Sequence, residues 1–106
     1  MTYTPQGWII LKFTTESDYY FKVFASWRED DRWRLSSGAK NPPELSGCGK
    51  YWVWPQESGS CYHLPVHGEG GCSFYSEHAL NNILAQSGVG EHVIERVNLN
   101  EINSKT

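Results

Sequence analysis

Three thiols and two imidazoles, Cys48, Cys61, His63, His67 and Cys72, fall within 25 residues of this 106-residue chain and are its sharpest candidates for chemistry. Thiolates and imidazoles are zinc ligands, but structural zinc sites offer them as closely spaced pairs. Here the thiols stand 13 and 11 residues apart, and only His63-x3-His67 has a familiar interval. On a strand Cys61 and His63 share a face, which supplies two ligands rather than four. The spacing assigns no metal and no cofactor; the plainer reading is buried or incidental thiols.

Cys72 just before a helix would have its thiolate favoured by the helix dipole, which keeps a thiol-dependent or zinc-dependent enzyme among the alternatives. Sequence proximity to a histidine is not geometry, and no catalytic residue is assigned. Glu29-Asp30-Asp31 lies at a turn, where solvated carboxylates are ordinary. Gly68-Glu69-Gly70-Gly71 precedes a helix as phosphate loops do, yet Cys72-Ser73 stands where a Lys and Ser or Thr are required, and Glu69 opposes a bound anion.

Rings and guanidinium groups interleave at Trp27-Arg28 and Arg32-Trp33-Arg34, joined by Lys50 and Trp52. On an exposed sheet face such a set stacks bases and holds phosphate; on a buried face the tryptophans are core. Alternation turns Trp27 and Trp33 inward and makes Trp52 and Trp54 the exposed pair. The candidate binding residues are Arg32, Arg34, Lys50, Trp52, Trp54, Ser58, Ser60 and Tyr62.

The elements that position these residues follow from hydrophobic period. Ile9, Leu11 and Phe13 share one face of a strand, and a polar turn leads to a second strand over 19–27, with Phe21, Val23, Ala25 and Trp27 on one side. Trp33 and Leu35 mark a short third strand. Pro42-Pro43 and three glycines make 38–50 an irregular loop. Residues 51–54 and 60–64, broken at Pro55 to Gly59, form a second hairpin. Ser73 is placed to cap a helix over 74–87 whose apolar face is Tyr75, Ala79, Leu80, Ile83 and Leu84, with Gly88 and Gly90 as its stop. Residues 91–99 read as a last strand and 100–106 as a frayed end. The fold class is α+β in a single domain, 1–106: a twisted antiparallel sheet of about five to six strands packed on one helix.

Composition narrows the class. Aromatics make up 14% of the chain, including five Trp, more than a minimal core needs. Net charge is −3, with +1 in residues 1–53 and −4 in 54–106, which argues against bulk nucleic-acid binding. There is no signal-like segment and no apolar run of about 18 residues, so a cytoplasmic protein without membrane association is expected. Three cysteines fit a reducing compartment. An open edge at the first or last strand would allow a homodimer.

At Tyr20 to Trp27, Trp33-Arg34-Leu35-Ser36-Ser37-Gly38 and Ser58-Gly59-Ser60-Cys61-Tyr62, the sequence resembles small uncharacterised accessory proteins of tailed bacteriophages, over about residues 1–65. The resemblance implies a viral protein in the host bacterial cytoplasm that inhibits a host or antiviral-defence protein. With the composition it suggests non-enzymatic binding through a sheet face and the loops at 38–50 and 55–60. The alternative is a sponge for a small defence nucleotide, with Arg32, Arg34 and Lys50 on phosphate and Trp52 or Tyr62 on the base.

Overall fold

The computed structural model describes residues 1–88 and 92–103. Its elements are β1 (Thr2–Tyr3), β2 (Gly7–Thr14), β3 (Tyr19–Trp27), β4 (Arg32–Leu35), β5 (Glu44–Leu45), β6 (Tyr51–Pro55), β7 (Cys61–Pro65), α1 (Phe74–Leu84), β8 (Val93–Val97) and α2 (Leu99–Asn103). The β2–β3 hairpin is the centre of an antiparallel sheet ordered β4-β3-β2-β8. A second sheet is ordered β1-β7-β6-β5, antiparallel except where β1 lies parallel to β7.

Two four-stranded sheets replace the single sheet of five to six strands that alternation suggested. The reason lies in β2, where Gly7 to Leu11 is buried at every position. A strand covered on one face alternates; one covered on both is apolar throughout. Trp8 and Ile10, with Phe21, Val23 and Ala25, face Trp54, Tyr62 and Leu64 of the second sheet. Ile9, Leu11, Phe13 and Phe24, with Ile94 of the neighbouring β8, face the other way, onto Leu80 of α1. The molecule is thus three layers: sheet, central sheet, helix.

Strand limits from the sequence match closely, and 38–50 is irregular apart from the two residues of β5. Ser73 caps α1 as expected, its Oγ accepting from Ser76 N at 3.1 Å. The helix ends at Leu84 rather than at 87, because Gln86 and Ser87 donate to Ile83 and Leu84 in tight turns and leave the helical ladder. Leu99, assigned above to the last strand, and residues 100–103, expected to fray, form α2 instead: Leu99 is buried in the core, Ile102 packs against it, and Glu69 Oε2 accepts the Leu99 N–H at 2.6 Å. Gly90 and Glu91, assigned above to the helix stop and the last strand, and residues 104–106 lie outside the described residues.

The tryptophans carry the correction with most consequence. Trp54 is 1% exposed and Trp52 packs against the core, so the pair expected to face solvent points inward. Register explains it: Trp52 and Trp54 stand opposite Leu64 and Tyr62, on the face turned to the central sheet. Trp33, expected inward, is 40% exposed and lies on the α1 side, stacked on Phe24 at 5.4 Å, because it pairs with Ser26. Only Trp27 keeps its expected side.

Close approach of another chain segment requires glycine at position 7. A Cβ on Gly7 would lie 2.3 Å from the Gly71 carbonyl oxygen, whereas one on Gly47 meets nothing within 4 Å. Gly7→Ala is therefore expected to cost about 2 to 3 kcal/mol, against under about 1 kcal/mol for Gly47→Ala. Urea denaturation of the two variants, compared at constant m-value, checks the difference.

Candidate functional site

The 38–50 loop begins as a strap across the end of the second sheet. Ala39 exchanges two backbone hydrogen bonds with Phe21, both 2.8 Å, and so joins the strap to the central sheet. Pro42-Pro43 lacks N–H donors and ends that pairing. The indole N–H of Trp54 donates to the Asn41 carbonyl at 2.7 Å. Gln56, also buried, accepts from Gly38 N at 3.0 Å, while Glu57 N donates to Gly38 O at 2.9 Å. Ser58 N donates to Ser37 Oγ at 3.0 Å.

Between this fixed strap and β6 with its following turn lies a cleft of about 520 Å³. That is within the range of small-ligand pockets. Its apolar surface comes from Ala39, Pro42, Val53, Trp54 and Pro55, and its charged groups are Lys40, Glu44 and Glu57. Lys40 is engaged with Asp18 in the β2–β3 turn. That hydrogen bond holds the Asp18 carboxyl below its ordinary range and pushes the Lys40 ammonium up. The pair is therefore intact at neutral pH and is lost only when pH falls through the lowered carboxyl value or rises through the raised ammonium value. Among the described residues neither Glu44 nor Glu57 forms an ion pair.

The eight sequence-predicted binding residues do not converge. Arg32 and Arg34 pair with Trp27 and Ala25 and so lie on the side facing the second sheet, at its margin. The Arg32 guanidinium sits 4.5 Å over Trp27, and that of Arg34 4.5 Å over Tyr3, which stacks on Tyr62 at 5.1 Å. Tyr62 is 1% exposed; burial pushes its hydroxyl pKa up, and the Arg34 guanidinium opposes this. Neither Tyr62 nor Trp54 has a free face for a base, and Trp52 is half-buried in the core. Lys50 lines a separate cleft with Thr4, Tyr51 and His67. Ser58 and Ser60 shape the β6–β7 turn at the far end of the strap cleft, Ser60 O accepting from Gln56 N at 2.8 Å.

The thiols are dispersed as well. Cys48 is exposed in the β5–β6 turn, Cys61 shares the outer face of the second sheet with His63, and Cys72 precedes α1. Among the described residues no three His, Cys, Asp or Glu side chains come together to hold a metal ion.

Sequence reasoning missed Ala39, Asn41 and Gln56, the residues that fix the strap. One signal was available: a buried indole requires an acceptor for its N–H, and the irregular 38–50 segment supplies it. Compared with protein-family models, curated proteins and solved structures, the chain has no match.

The thiols differ in reactivity. The Ser46 hydroxyl, 3.3 Å from Cys48 Sγ, and the Lys50 N–H hold the Cys48 thiol below its ordinary range, whereas burial and then Glu77 push Cys72 up. Iodoacetamide near neutral pH should modify Cys48 well before Cys72, and Ser46→Ala should slow Cys48 selectively. Peptide mass mapping over time reads both outcomes.

Proposed function

We propose that this chain acts by non-enzymatic binding, and that the strap cleft takes part of a partner protein. In the setting implied by the phage resemblance, the partner is a host or antiviral-defence protein of the bacterial cytoplasm, and binding inhibits it. The observation that supports this reading is pre-organisation. The two segments that wall the cleft are tied down by hydrogen bonds: Ala39 to Phe21, Asn41 to the Trp54 indole, and Gln56 and Glu57 to Gly38 at the start of the strap. A ligand then pays little ordering cost on the protein side. Both loops singled out in the sequence, 38–50 and 55–60, contribute to it.

The nucleotide reading retains Arg32 and Arg34, which are held by rings on one face of β4. It loses Lys50 to another cleft and loses Trp52 and Tyr62 to the core. Pairing of two copies at an end strand is also poorly served: β1 has two residues, and in β8 the Ile94 N–H is already donated to Ser87 Oγ at 2.8 Å. Among the described residues no helix is long and apolar enough to cross a membrane.

Val53 lies on the cleft surface, on the β6 face turned away from the core. The expected outcome is that immobilised wild-type protein retains a stoichiometric partner from bacterial lysate. Val53→Arg should lose it at least about tenfold, or 1.4 kcal/mol, while Arg34→Ala keeps it. A thermal-shift panel of linear and cyclic nucleotides separates the alternative, since a ligand at 100 times its Kd stabilises by about 2.7 kcal/mol. Loss through Arg34→Ala, or a nucleotide shift, would transfer the function to β4.

A further inference from the structure

The cleft has a chemical bias that its volume does not reveal. Among the described residues its exposed carboxylates, Glu44 and Glu57, form no ion pair, whereas its one cationic side chain, Lys40, is held by Asp18, with Glu57 adding to the field that favours the ammonium. A third acceptor comes from the backbone. In β6, hydrogen bonds between Gln56 N and Ser60 O and between Val66 N and Lys50 O turn the peptide groups of even-numbered residues towards β7. By alternation those of Tyr51, Val53 and Pro55 point to the opposite edge.

There Tyr51 O accepts from Ser46 N, and Val53 pairs with Glu44 of β5. β5 stops at Glu44, so among the described residues no strand pairs with Pro55 on that edge, and Cys61 opposite donates to Met1 O at 2.9 Å. Pro55 itself brings no N–H, so the edge at this point offers only an acceptor. The cleft therefore presents carboxylates at Glu44 and Glu57, a strand-edge carbonyl between them and an apolar lining from Pro42 and Val53.

From this arrangement, and resting on the binding reading above, we infer that the cleft takes an extended, positively charged peptide segment of its partner. The segment's backbone N–H donates to Pro55 O, its Lys or Arg side chains meet Glu44 and Glu57, and its apolar side chain lies on Pro42 and Val53. An acidic segment would set carboxylate against carboxylate and leave Pro55 O without a donor. The chain as a whole agrees in sign, with a net charge of −3.

The test uses the full chain and three dye-labelled peptides that share apolar positions and carry Lys, Ser or Glu at the intervening ones. Fluorescence anisotropy should rank Lys above Ser by at least about tenfold and Ser above Glu. The Lys affinity should fall as salt is raised. Glu44→Gln with Glu57→Gln should erase the Lys preference, and Glu44→Asp with Glu57→Asp should retain much of it. Both carboxylates are exposed, so thermal midpoints of these variants should stay near that of the parent.

The inference fails if the Lys peptide binds no better than the Ser peptide, if its affinity survives the glutamine pair, or if spermidine competes it away as effectively as unlabelled peptide. A lysate partner lost with Val53→Arg but undiminished in the glutamine pair would overturn the charge assignment and leave the binding reading standing. Absence of both a partner and peptide binding would remove the two together.

Discussion

The double-sided burial of the β2–β3 hairpin is the constraint on which the rest of this molecule depends. Trp8, Ile9, Ile10 and Leu11 are consecutive and each is at most 2% exposed, so both faces of the strand must be covered. Apolar area removed from water contributes about 25 cal/mol per Å². Leaving either face uncovered would forfeit a large share of the stabilisation available to a 106-residue chain. One face is closed by the second sheet and the other by α1. The same requirement explains α2, whose Leu99 fills the margin of the inter-sheet core beside Trp8 and Ile10.

Burying large rings creates a second demand, because an indole N–H taken out of water needs an acceptor. Three tryptophans meet it through carbonyls of other segments: Trp8 at Pro65 O, Trp54 at Asn41 O and Trp27 at Thr4 O, at 2.7, 2.7 and 3.2 Å. The bonds to Asn41 and Thr4 tie irregular chain to the core, and the bond to Pro65 ties in the end of β7. The aromatic excess is thus chiefly an anchoring device, and the 39–44 strap with its cleft is one product of it. Core and cleft are coupled at Trp54, whose ring is packed on Phe21 while its N–H holds the strap.

The limits of this fold's legibility follow the same physics. The strand over 19–27, the strand begun at 51 and the cap at Ser73 could be read from local period and turn chemistry, which depend on neighbours in sequence, although β6 runs on through Pro55 where a break was expected. The division into two sheets could not, since it depends on what covers the even and odd faces of β2. Assigning Ile9, Leu11 and Phe13 to the one covered face left Trp8 and Ile10 without a role. The site suffered from the same gap: whether Trp52 and Trp54 face in or out is decided by register with Tyr62 and Leu64, and a one-residue slip would reverse it. Arg32 and Arg34 were correctly placed together, because i and i+2 on a strand always share a face.

Why the cleft rather than the arginine pair carries the functional reading is a question of which groups still have capacity to bind. Arg32 and Arg34 each rest on a ring, Arg32 also lies 3.9 Å from the Asp30 carboxylate, and Arg34 serves the buried Tyr62 hydroxyl. Drawing either onto an anion would sacrifice contacts already made, and Glu29, Asp30 and Asp31 offset Arg28, Arg32 and Arg34 in the local field. In the cleft the order is reversed. Lys40 is the group already satisfied, and the carboxylates of Glu44 and Glu57 are held on a rigid frame without a partner of their own among the described residues. A cation entering there would break no ion pair among the described residues. The cost of ordering the surrounding backbone has been met by hydrogen bonds at Gly38, Ala39 and Asn41.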